Sequence, residues 1–357
     1  MKRIHPSLCA AALCLICSAC VSHSYRIDGT YAKNDNTEVY LISLKDSDTL
    51  AVTAVQDGKF SFSGEIDEPA YVSVGRGKER VRFILEPGSA AVDLGERTVA
   101  GLPMVESINA YNDKFYGFDK VRREARETLT KDKDQLTPTE FNASWDRLNA
   151  DCKEGKIALC DSMVRANRDN LVGAIVMNDL AMVDGEAFMG LYDVLSEPIR
   201  DHFLVSVPYK RAKALAETAP GMPFKDYTIP GGNPDGTDVK LSDYVGKGKY
   251  ILLDHWASWC GPCKAEMPYI RKAYDTFHGD RFDVVSIAVS DKREDTEAAL
   301  AKLDMPWNQI LDAGKIANEI YGINAIPHLI LFAPDGTIIR RDLRGEQICT
   351  ALGEILK

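Results

Sequence analysis

The chain has 357 residues, a length that is too great for one ordinary domain and predicts two or three. Its hydrophobic content of 45% is sufficient for buried cores, and its formal net charge at pH 7 is −10. No basic run or basic patch is visible, so the charge pattern argues against a nucleic-acid-binding protein.

Residues 1–19 have the features of an export signal. Two basic residues precede the apolar run Leu8–Ile16, which is too short to span a bilayer. The small residues before Cys20 resemble the lipid-attachment motif of bacterial lipoproteins, although Cys17 stands where that motif prefers leucine. We therefore predict lipidation of Cys20 and a membrane-anchored protein in the cell envelope, facing the periplasm. Ordinary signal-peptide cleavage is the alternative, and either process exports the protein to an oxidising compartment.

Residues 20–105 are predicted to form a β-rich domain. Short strand-like runs separated by glycine-containing turns occur at Glu38–Ile42, Phe60–Phe62, Tyr71–Val74 and Val81–Leu85. Short strands at this spacing are typical of a small antiparallel sandwich or barrel. No catalytic constellation is apparent in this part of the chain.

Residues 106–217 are predicted to be helical. The stretch Thr137–Glu140 has the pattern of a helix start, with threonine as the cap, proline at the first position and glutamate completing a capping box. Further helices are predicted over Asn170–Met182 and Pro208–Glu217. This region therefore separates the β-rich domain from the C-terminal part of the chain.

Cys152 and Cys160 lie eight residues apart within this helical region. On one continuous helix that separation corresponds to about 12 Å, which is too far for a disulfide bond. We interpret them as two small residues partly buried in a helical core. The alternative is a disulfide bond within a helical hairpin.

The motif around which the chain is organised lies between a strand and a helix. The apolar run Tyr250–Leu253 predicts a buried strand, and Cys263–Phe277 has the pattern of an amphipathic helix. Cys260 and Cys263 are three residues apart at this turn, so they can form a disulfide without large backbone movement. The helix N-terminus should stabilise the Cys260 thiolate, which is the reactive form, and the more buried Cys263 should act as the resolving thiol. A structural zinc site would require a second ligand pair, and no other Cys-x-x-Cys motif follows residue 20.

The stretch Leu253–Lys264 closely resembles the active-site stretch of thioredoxins. Asp254 corresponds to the acid that thioredoxins bury beneath the cysteine pair, and Ile326–Pro327 corresponds to their cis-proline loop before the strand Leu329–Phe332. The resemblance covers about the last 140 residues. It implies an α/β thioredoxin-like domain over 218–357, with a central mixed sheet flanked by helices.

Two further features resemble the exported branch of this superfamily. Residues 223–244 form a similar lead-in to the first strand, and residues 282–311 contain an extra strand–helix unit that is similar to TlpA-like and cytochrome-c-maturation reductases. Glu266 matches an acidic position in the latter. By layout alone, the N-terminal part resembles a β-rich domain of unknown function that precedes thioredoxin domains in exported bacterial proteins.

The resemblance implies a thiol-disulfide oxidoreductase, and the Gly-Pro pair between the cysteines matches reducing thioredoxins. Cys260 and Cys263 would form the redox-active disulfide, and Asp254 would help to remove the proton from Cys263. Glu266 would tune the pair electrostatically, or it is a solvated helix acid. His255 and His328 could stabilise the thiolate if charged, although local hydrogen bonding is the commoner role of such residues.

The same resemblance predicts where a substrate would bind. Trp259 would offer an apolar docking surface, shared with Trp256 unless that side chain only packs in the core. Ile326 and the cis-Pro327 would leave backbone free to pair with a substrate strand. The substrates would be proteins that carry disulfide bonds, and the match at Glu266 points weakly to the haem-binding cysteines of apocytochromes.

The sequence implies no metal and no organic cofactor, since it contains no flavin- or nicotinamide-binding fingerprint. A reductase in an oxidising compartment then requires a membrane electron-donor protein. Two alternatives remain, a disulfide-forming oxidase or isomerase and an interaction lipoprotein whose thioredoxin domain is secondary. A peroxiredoxin is disfavoured because Leu253 and Ala257 occupy the proline and threonine positions of that family's motif.

Overall fold

The computed structural model describes residues 23–32, 36–131 and 136–356, so the predicted signal segment and Cys20 lie outside the described residues. Contacts divide the chain into two units, of which the first ends at Val176 and the second begins at Met177. The boundaries at 105/106 and 217/218 stay predictions. Within the described ranges, no helix combines the length and the apolar character that a membrane span requires.

The described part of the first unit begins with eight strands: β1 Ser24–Thr30, β2 Glu38–Ser43, β3 Thr49–Ala54, β4 Lys59–Glu65, β5 Ala70–Arg76, β6 Glu79–Leu85, β7 Gly88–Asp93 and β8 Thr98–Ala100. They form two four-stranded sheets, ordered β4-β1-β7-β8 and β3-β2-β5-β6. Alternating apolar side chains of both sheets, such as Ile27 and Val72, share one core.

One strand pair in these sheets differs from the prediction. β1 and β7 are parallel, whereas the other pairs described in the two sheets are antiparallel. The expectation of a purely antiparallel arrangement is therefore wrong for this pair. The reason is that β7 follows β6 from the opposite sheet instead of returning beside β1 through a hairpin, and spacing alone does not reveal such a connection.

Three long helices follow: α1 Pro103–Lys131, α2 Pro138–Ala166 and α3 Leu171–Val183, the last of which spans the division between the units. The predicted capping box of α2 is confirmed, because Glu140 N–H donates to Thr137 Oγ1 at 3.3 Å and Thr137 N–H donates to the Glu140 carboxylate at 2.9 Å. Cys152 and Cys160 are both buried on α2, as predicted, and neither forms a disulfide bond, so the helical-hairpin disulfide is wrong.

The second unit continues with α4 Gly185–Leu191, α5 Glu197–Asp201 and α6 Phe203–Glu217. The predicted start of the last helix at Pro208 is wrong, because α6 begins five residues earlier and Pro208 lies inside it. Proline is common in a first helical turn, which made residue 208 look like a start. The His202 side chain caps the true start by accepting a hydrogen bond from Leu204 N–H at 3.4 Å.

The remaining elements of the described chain are β9 Thr228–Ile229, β10 Val239–Lys240, β11 Tyr250–Trp256, α7 Gly261–Phe277, β12 Phe282–Ala288, α8 Arg293–Leu300, β13 Asn308–Ile310, α9 Ile316–Tyr321, β14 His328–Phe332, β15 Ile338–Arg341 and α10 Gln347–Ile355. Five strands form a mixed sheet in the order β13-β12-β11-β14-β15. β11, β12 and β13 run parallel, and β14 is antiparallel to β11 and to β15. This sheet confirms the predicted thioredoxin-like fold.

The central strand β11 is buried on both faces. Leu253 packs into the core on one side of the sheet, and Leu252 packs into the core on the other. A strand that is covered on both faces has a continuous run of apolar residues in its sequence, and Tyr250–Leu253 is such a run. The carboxyl end of β11 therefore lies in the middle of the sheet edge, where the chain turns into α7.

α6 is fastened to the sheet domain by polar contacts as well as by packing. Arg211 Nε donates to the carbonyl of Gly322 at 3.1 Å, and Arg341 Nη1 donates to the carbonyl of Thr218 at 3.0 Å. Gly322 ends α9 with φ of 65°, and a Cβ there would lie 2.9 Å from the Arg211 carbonyl oxygen. α6 thus approaches the end of α9 so closely that only glycine fits.

Candidate active site

The cysteine pair lies where β11 gives way to α7. Cys260 is the N-cap residue of α7, and its Sγ accepts a hydrogen bond from the Cys263 N–H at 3.1 Å. The two cysteines form a disulfide bond. Cys263 is fully buried, whereas 3% of Cys260 is exposed, so Cys260 is the more accessible of the two. The helix N-terminus favours negative charge at this position, which suits a thiolate on Cys260 in the reduced state.

The loop between β12 and α8 holds this turn in place. Asp291 accepts hydrogen bonds from the Ser258 N–H at 2.5 Å and from the Ser258 hydroxyl at 2.9 Å, and Thr296 Oγ1 donates to the same carboxylate at 3.0 Å. Sequence reasoning missed Asp291. The available signal was its place just after a buried parallel strand, because the carboxyl ends of β11 and β12 meet at one edge of the sheet.

Trp259 is the exposed wall of a groove beside the disulfide. Its side chain is 63% exposed, and its Nε1 donates to the carbonyl of Ser290 at 3.0 Å. The groove has a volume of about 310 Å³ and is also lined by Val289, Asn318, Asn324, Ala325 and Ile326. Trp256 is fully buried in the core, so the expectation that it shares a docking surface is wrong, since it packs behind the turn.

Asp254 is a buried acid on the strand that leads into the cysteine turn. One carboxyl oxygen accepts a hydrogen bond from the Ser286 hydroxyl at 2.9 Å, and the other has no hydrogen-bond partner among the described residues. Burial raises the pKa of Asp254 to about 7, and the Glu266 carboxylate acts in the same direction. The Ser286 hydrogen bond and the charge of Arg344 oppose this rise in pKa. A carboxyl group with this pKa can accept or release a proton near neutral pH.

Glu266 lies on the inner face of α7 and is 9% exposed. Its carboxylate accepts a hydrogen bond from the Gly345 N–H, at the start of α10. The interpretation as a solvated helix acid is therefore wrong, because α10 packs over this part of α7. The Glu266 carboxylate raises the pKa of Asp254. Electrostatic tuning of the cysteine pair by Glu266 stays a prediction.

The cis-proline loop lies beside Cys260. The peptide bond between Ile326 and Pro327 is cis, and the Ile326 carbonyl oxygen lies 3.8 Å from Cys260 Sγ. The Pro327 carbonyl accepts a hydrogen bond from the Arg344 guanidinium. The structure thus brings together Cys260, Ile326 and Pro327.

Neither neighbouring histidine carries a positive charge at neutral pH. Burial lowers the pKa of His255 to about 3, and its Nδ1 lies 3.0 Å from the His328 carbonyl oxygen. The pKa of His328 is lowered to about 4, mainly by burial and also by nearby arginines, Arg341 first. The idea that a charged imidazolium stabilises the thiolate is therefore wrong. The alternative role, local hydrogen bonding, fits His255, whose ring lies within hydrogen-bond distance of the His328 carbonyl.

Potential metal ligands are scattered through the chain. Across residues 23–32, 36–131 and 136–356, no three histidine, cysteine or acidic side chains converge in a way that could hold a metal ion.

Comparisons with known proteins agree with this geometry. Residues 220–341 match the family described as AhpC/TSA family, and residues 25–102 match a domain of unknown function, DUF4369. The thiol-disulfide oxidoreductase ResA of Bacillus thuringiensis subsp. konkukian is 28% identical over 123 residues, which cover 34% of this chain and 69% of that protein. The ResA of Bacillus subtilis is 26% identical over 106 residues, which cover 30% and 58%.

Solved structures of similar proteins cover the same part of the chain. The thioredoxin domain of a thiol-disulfide oxidoreductase from Bacteroides vulgatus is 30% identical, with a TM-score of 0.36, and the match covers 39% of this chain and 99% of that one. A putative thiol:disulfide interchange protein DsbE from Chlorobium tepidum is 27% identical, with a TM-score of 0.33, and covers 38% and 99%.

Proposed function

We propose that this chain, whose residues 220–341 form a thioredoxin-fold domain of the AhpC/TSA family, is a thiol-disulfide oxidoreductase that reduces disulfide bonds in exported proteins. The observation that carries the proposal is the Cys260–Cys263 disulfide at the N-terminus of α7, next to the cis-proline loop. The buried carboxyl of Asp254 adds a group that can exchange a proton near neutral pH.

The reaction begins with the reduced dithiol. The Cys260 thiolate attacks a substrate disulfide, so one substrate sulfur leaves as a thiolate and the other joins Cys260 in a mixed disulfide. Asp254 accepts the proton of Cys263, and the Cys263 thiolate then attacks Cys260 Sγ. The second substrate sulfur leaves as a thiolate, and the Cys260–Cys263 disulfide forms. The substrate disulfide has gained two electrons, and the enzyme dithiol has lost them.

The groove beside Trp259 is the proposed docking site for the substrate chain. The exposed indole offers an apolar surface, and the carbonyl of Ile326, which precedes the cis-Pro327, lies next to the reactive sulfur. A polypeptide can lie between these two walls while its own disulfide reaches Cys260. The substrates that we propose are therefore proteins with exposed disulfide bonds, and the cysteines of apocytochromes are one such class.

The cell-envelope location and the lipid anchor at Cys20 are part of the proposal. They rest on the sequence of residues 1–20, which has a basic start, a short apolar run and small residues before a cysteine. A reductase in an oxidising compartment needs a steady source of electrons, for which we propose a membrane donor protein. The donor would reduce the Cys260–Cys263 disulfide after each turnover.

The test is the equilibrium reduction potential of the Cys260–Cys263 pair, measured against glutathione on protein lacking residues 1–20. A potential near or below about −250 mV supports a reductant. A value near about −120 mV supports a disulfide-forming oxidase instead and overturns the proposed direction. Peroxide turnover by the same protein would favour peroxidase chemistry.

Single-cysteine variants test the assignment of the two sulfurs. Cys263→Ser should accumulate a mixed disulfide with substrate proteins, because the resolving thiol is missing, and Cys260→Ser should accumulate none. Cys349→Ser is the matched control, since Cys349 lies on α10 as a partly exposed thiol outside the pair. If Cys260→Ser leaves the cellular phenotype intact, the interaction lipoprotein becomes the better description.

A further inference from the structure

The turn from Asp342 to Gly345, between β15 and α10, contacts the active site at two places. The Arg344 guanidinium donates a hydrogen bond to the carbonyl of Pro327 in the cis-proline loop. The next residue, Gly345, donates its N–H to the Glu266 carboxylate on α7. One short turn therefore links the proposed substrate-facing loop to the acid beneath the cysteine helix.

The guanidinium of Arg344 is held in a fixed position. It pairs with the Asp342 carboxylate at 2.6 Å, and its Nη1 donates to the Leu343 carbonyl at 2.8 Å. The backbone N–H of Arg344 also donates to Gln347 Oε1 at 3.3 Å. A planar guanidinium can satisfy a carboxylate and two carbonyls at once, whereas the single ammonium of lysine cannot reproduce that fork.

Groups from three elements act on the pKa of the buried Asp254 carboxyl. Ser286 of β12 donates a hydrogen bond to it, and the Glu266 carboxylate of α7 repels a second negative charge. Arg344 supplies a positive charge from the β15–α10 turn, which favours the ionised form of Asp254. His255 and His328 are neutral at pH 7 and add no charge. Arg344 thus offsets the effect of Glu266.

We propose that Arg344 is a positioning residue for thiol–disulfide exchange, whose guanidinium fixes the Pro327 end of the cis-proline loop while the turn that carries it holds the Glu266 carboxylate. Its charge has a second role, because it favours the ionised form of Asp254. The inference rests on the proposed function, because it assigns Asp254 the proton of Cys263. The two roles of Arg344 are separable, since one needs the shape of the guanidinium and the other needs only its charge.

The test follows the second release of thionitrobenzoate when the reduced protein reacts with Ellman's disulfide reagent. The first release reports attack by Cys260, and the second reports attack by Cys263 on the mixed disulfide. In the wild type, the second rate should rise with pH, with a midpoint near the pKa of Asp254, about 7. Arg344→Met should move this midpoint upward by at least about 0.5 pH unit, because the ionised acid loses its cation.

Two further variants separate the roles and provide a control. Arg344→Lys should keep the wild-type midpoint, because it keeps the charge, while KM for a protein disulfide rises severalfold as the Pro327 contact is lost. Arg340→Met is the matched control. It lies on the neighbouring strand β15 and removes only an exposed pair with Glu354 at 2.5 Å. It should leave both the midpoint and KM unchanged.

The possible outcomes test the assignment of Arg344, the role of its charge and the proposed function separately. If the midpoint of Arg344→Met equals that of the wild type, or if Arg340→Met moves it equally, the assignment of Arg344 is overturned. If Arg344→Lys shifts the midpoint as far as Arg344→Met does, the charge is not the operative property. If the wild type reduces no protein disulfide at any pH, the proposed function fails. The midpoints of thionitrobenzoate release in the wild type and in Arg344→Met still decide the assignment of Arg344.

Discussion

Replacing Asp254 by Asn should change the stability of the oxidised protein in opposite directions at pH 4 and at pH 8. The carboxyl is fully buried, and its pKa is raised from 3.8 to about 7 in the folded state. Between these values the folded state keeps a proton that the unfolded state releases. The contribution of Asp254 to stability is therefore fully present below about pH 4 and is lost as the pH rises through 7.

The magnitude follows from the difference between the two pKa values. A difference of about three pH units corresponds to about 4 kcal/mol, which is the contribution of Asp254 that is present at pH 4 and lost by pH 8. The amide that Asp254→Asn introduces does not ionise, so the variant avoids this loss. The amide nitrogen takes the place of an oxygen that has no partner in the described structure, and an unpaired buried donor costs about 1–3 kcal/mol at every pH.

The variant should thus be less stable than the wild type at pH 4 and more stable at pH 8, with the curves crossing in between. Urea unfolding of the oxidised protein, followed by tryptophan fluorescence, measures this difference, because Trp256 and Trp307 are both buried in the catalytic unit. Asp295→Asn is the control, since Asp295 is an exposed acid on α8. A stability difference that stays constant within about 1 kcal/mol from pH 4 to pH 8 would refute the reasoning.

Three other substitutions give separate tests. Trp259→Ala should raise KM for protein disulfides about fivefold and change the free energy of unfolding by less than about 0.5 kcal/mol, because the side chain is 63% exposed. Steady-state kinetics with protein and small disulfides measure the change in KM. Asp291→Asn should destabilise the catalytic unit by about 1–3 kcal/mol in urea unfolding, whereas Asp295→Asn should have little effect. Both carboxylate oxygens of Asp291 accept hydrogen bonds, and the variant replaces one of them by an amide NH2 group, which can only donate. His255→Phe should flatten the loss of stability below about pH 6.5, because the folded protein resists protonation of that ring down to about pH 3. An unchanged acid limb of the stability curve would contradict the last expectation.

The sequence was most informative where local pattern and chemistry coincide. The apolar run of β11 indicated a strand buried on both faces, and the two cysteines at its end indicated the redox turn. The capping box at Thr137–Glu140 was also correct, because its residues interact with one another within a single helical turn. Such features depend on residues close together in the chain.

Features that depend on distant residues were not predicted. Asp291 lies 33 residues from Ser258 in the chain, yet it accepts two hydrogen bonds from that residue. The burial of Glu266 depends on Gly345, which packs over α7 from 79 residues away. The parallel pairing of β1 with β7 was missed for the same reason, since strand length and spacing carry no information about partner or direction.

The contact between α6 and α9 has a consequence for how this protein could be divided or recombined. The family match begins at residue 220, but Arg211 and Leu215 of α6 pack around Gly322, within the matched region. A chimera joined at residue 220 would replace α6 by a foreign segment. The Gly322 carbonyl would then lose the hydrogen bond from Arg211, and the close packing of α6 against this glycine would be lost. Catalytic domains that are exchanged between relatives should therefore include α6. The folding unit includes this helix and so begins upstream of residue 220, where the family match starts.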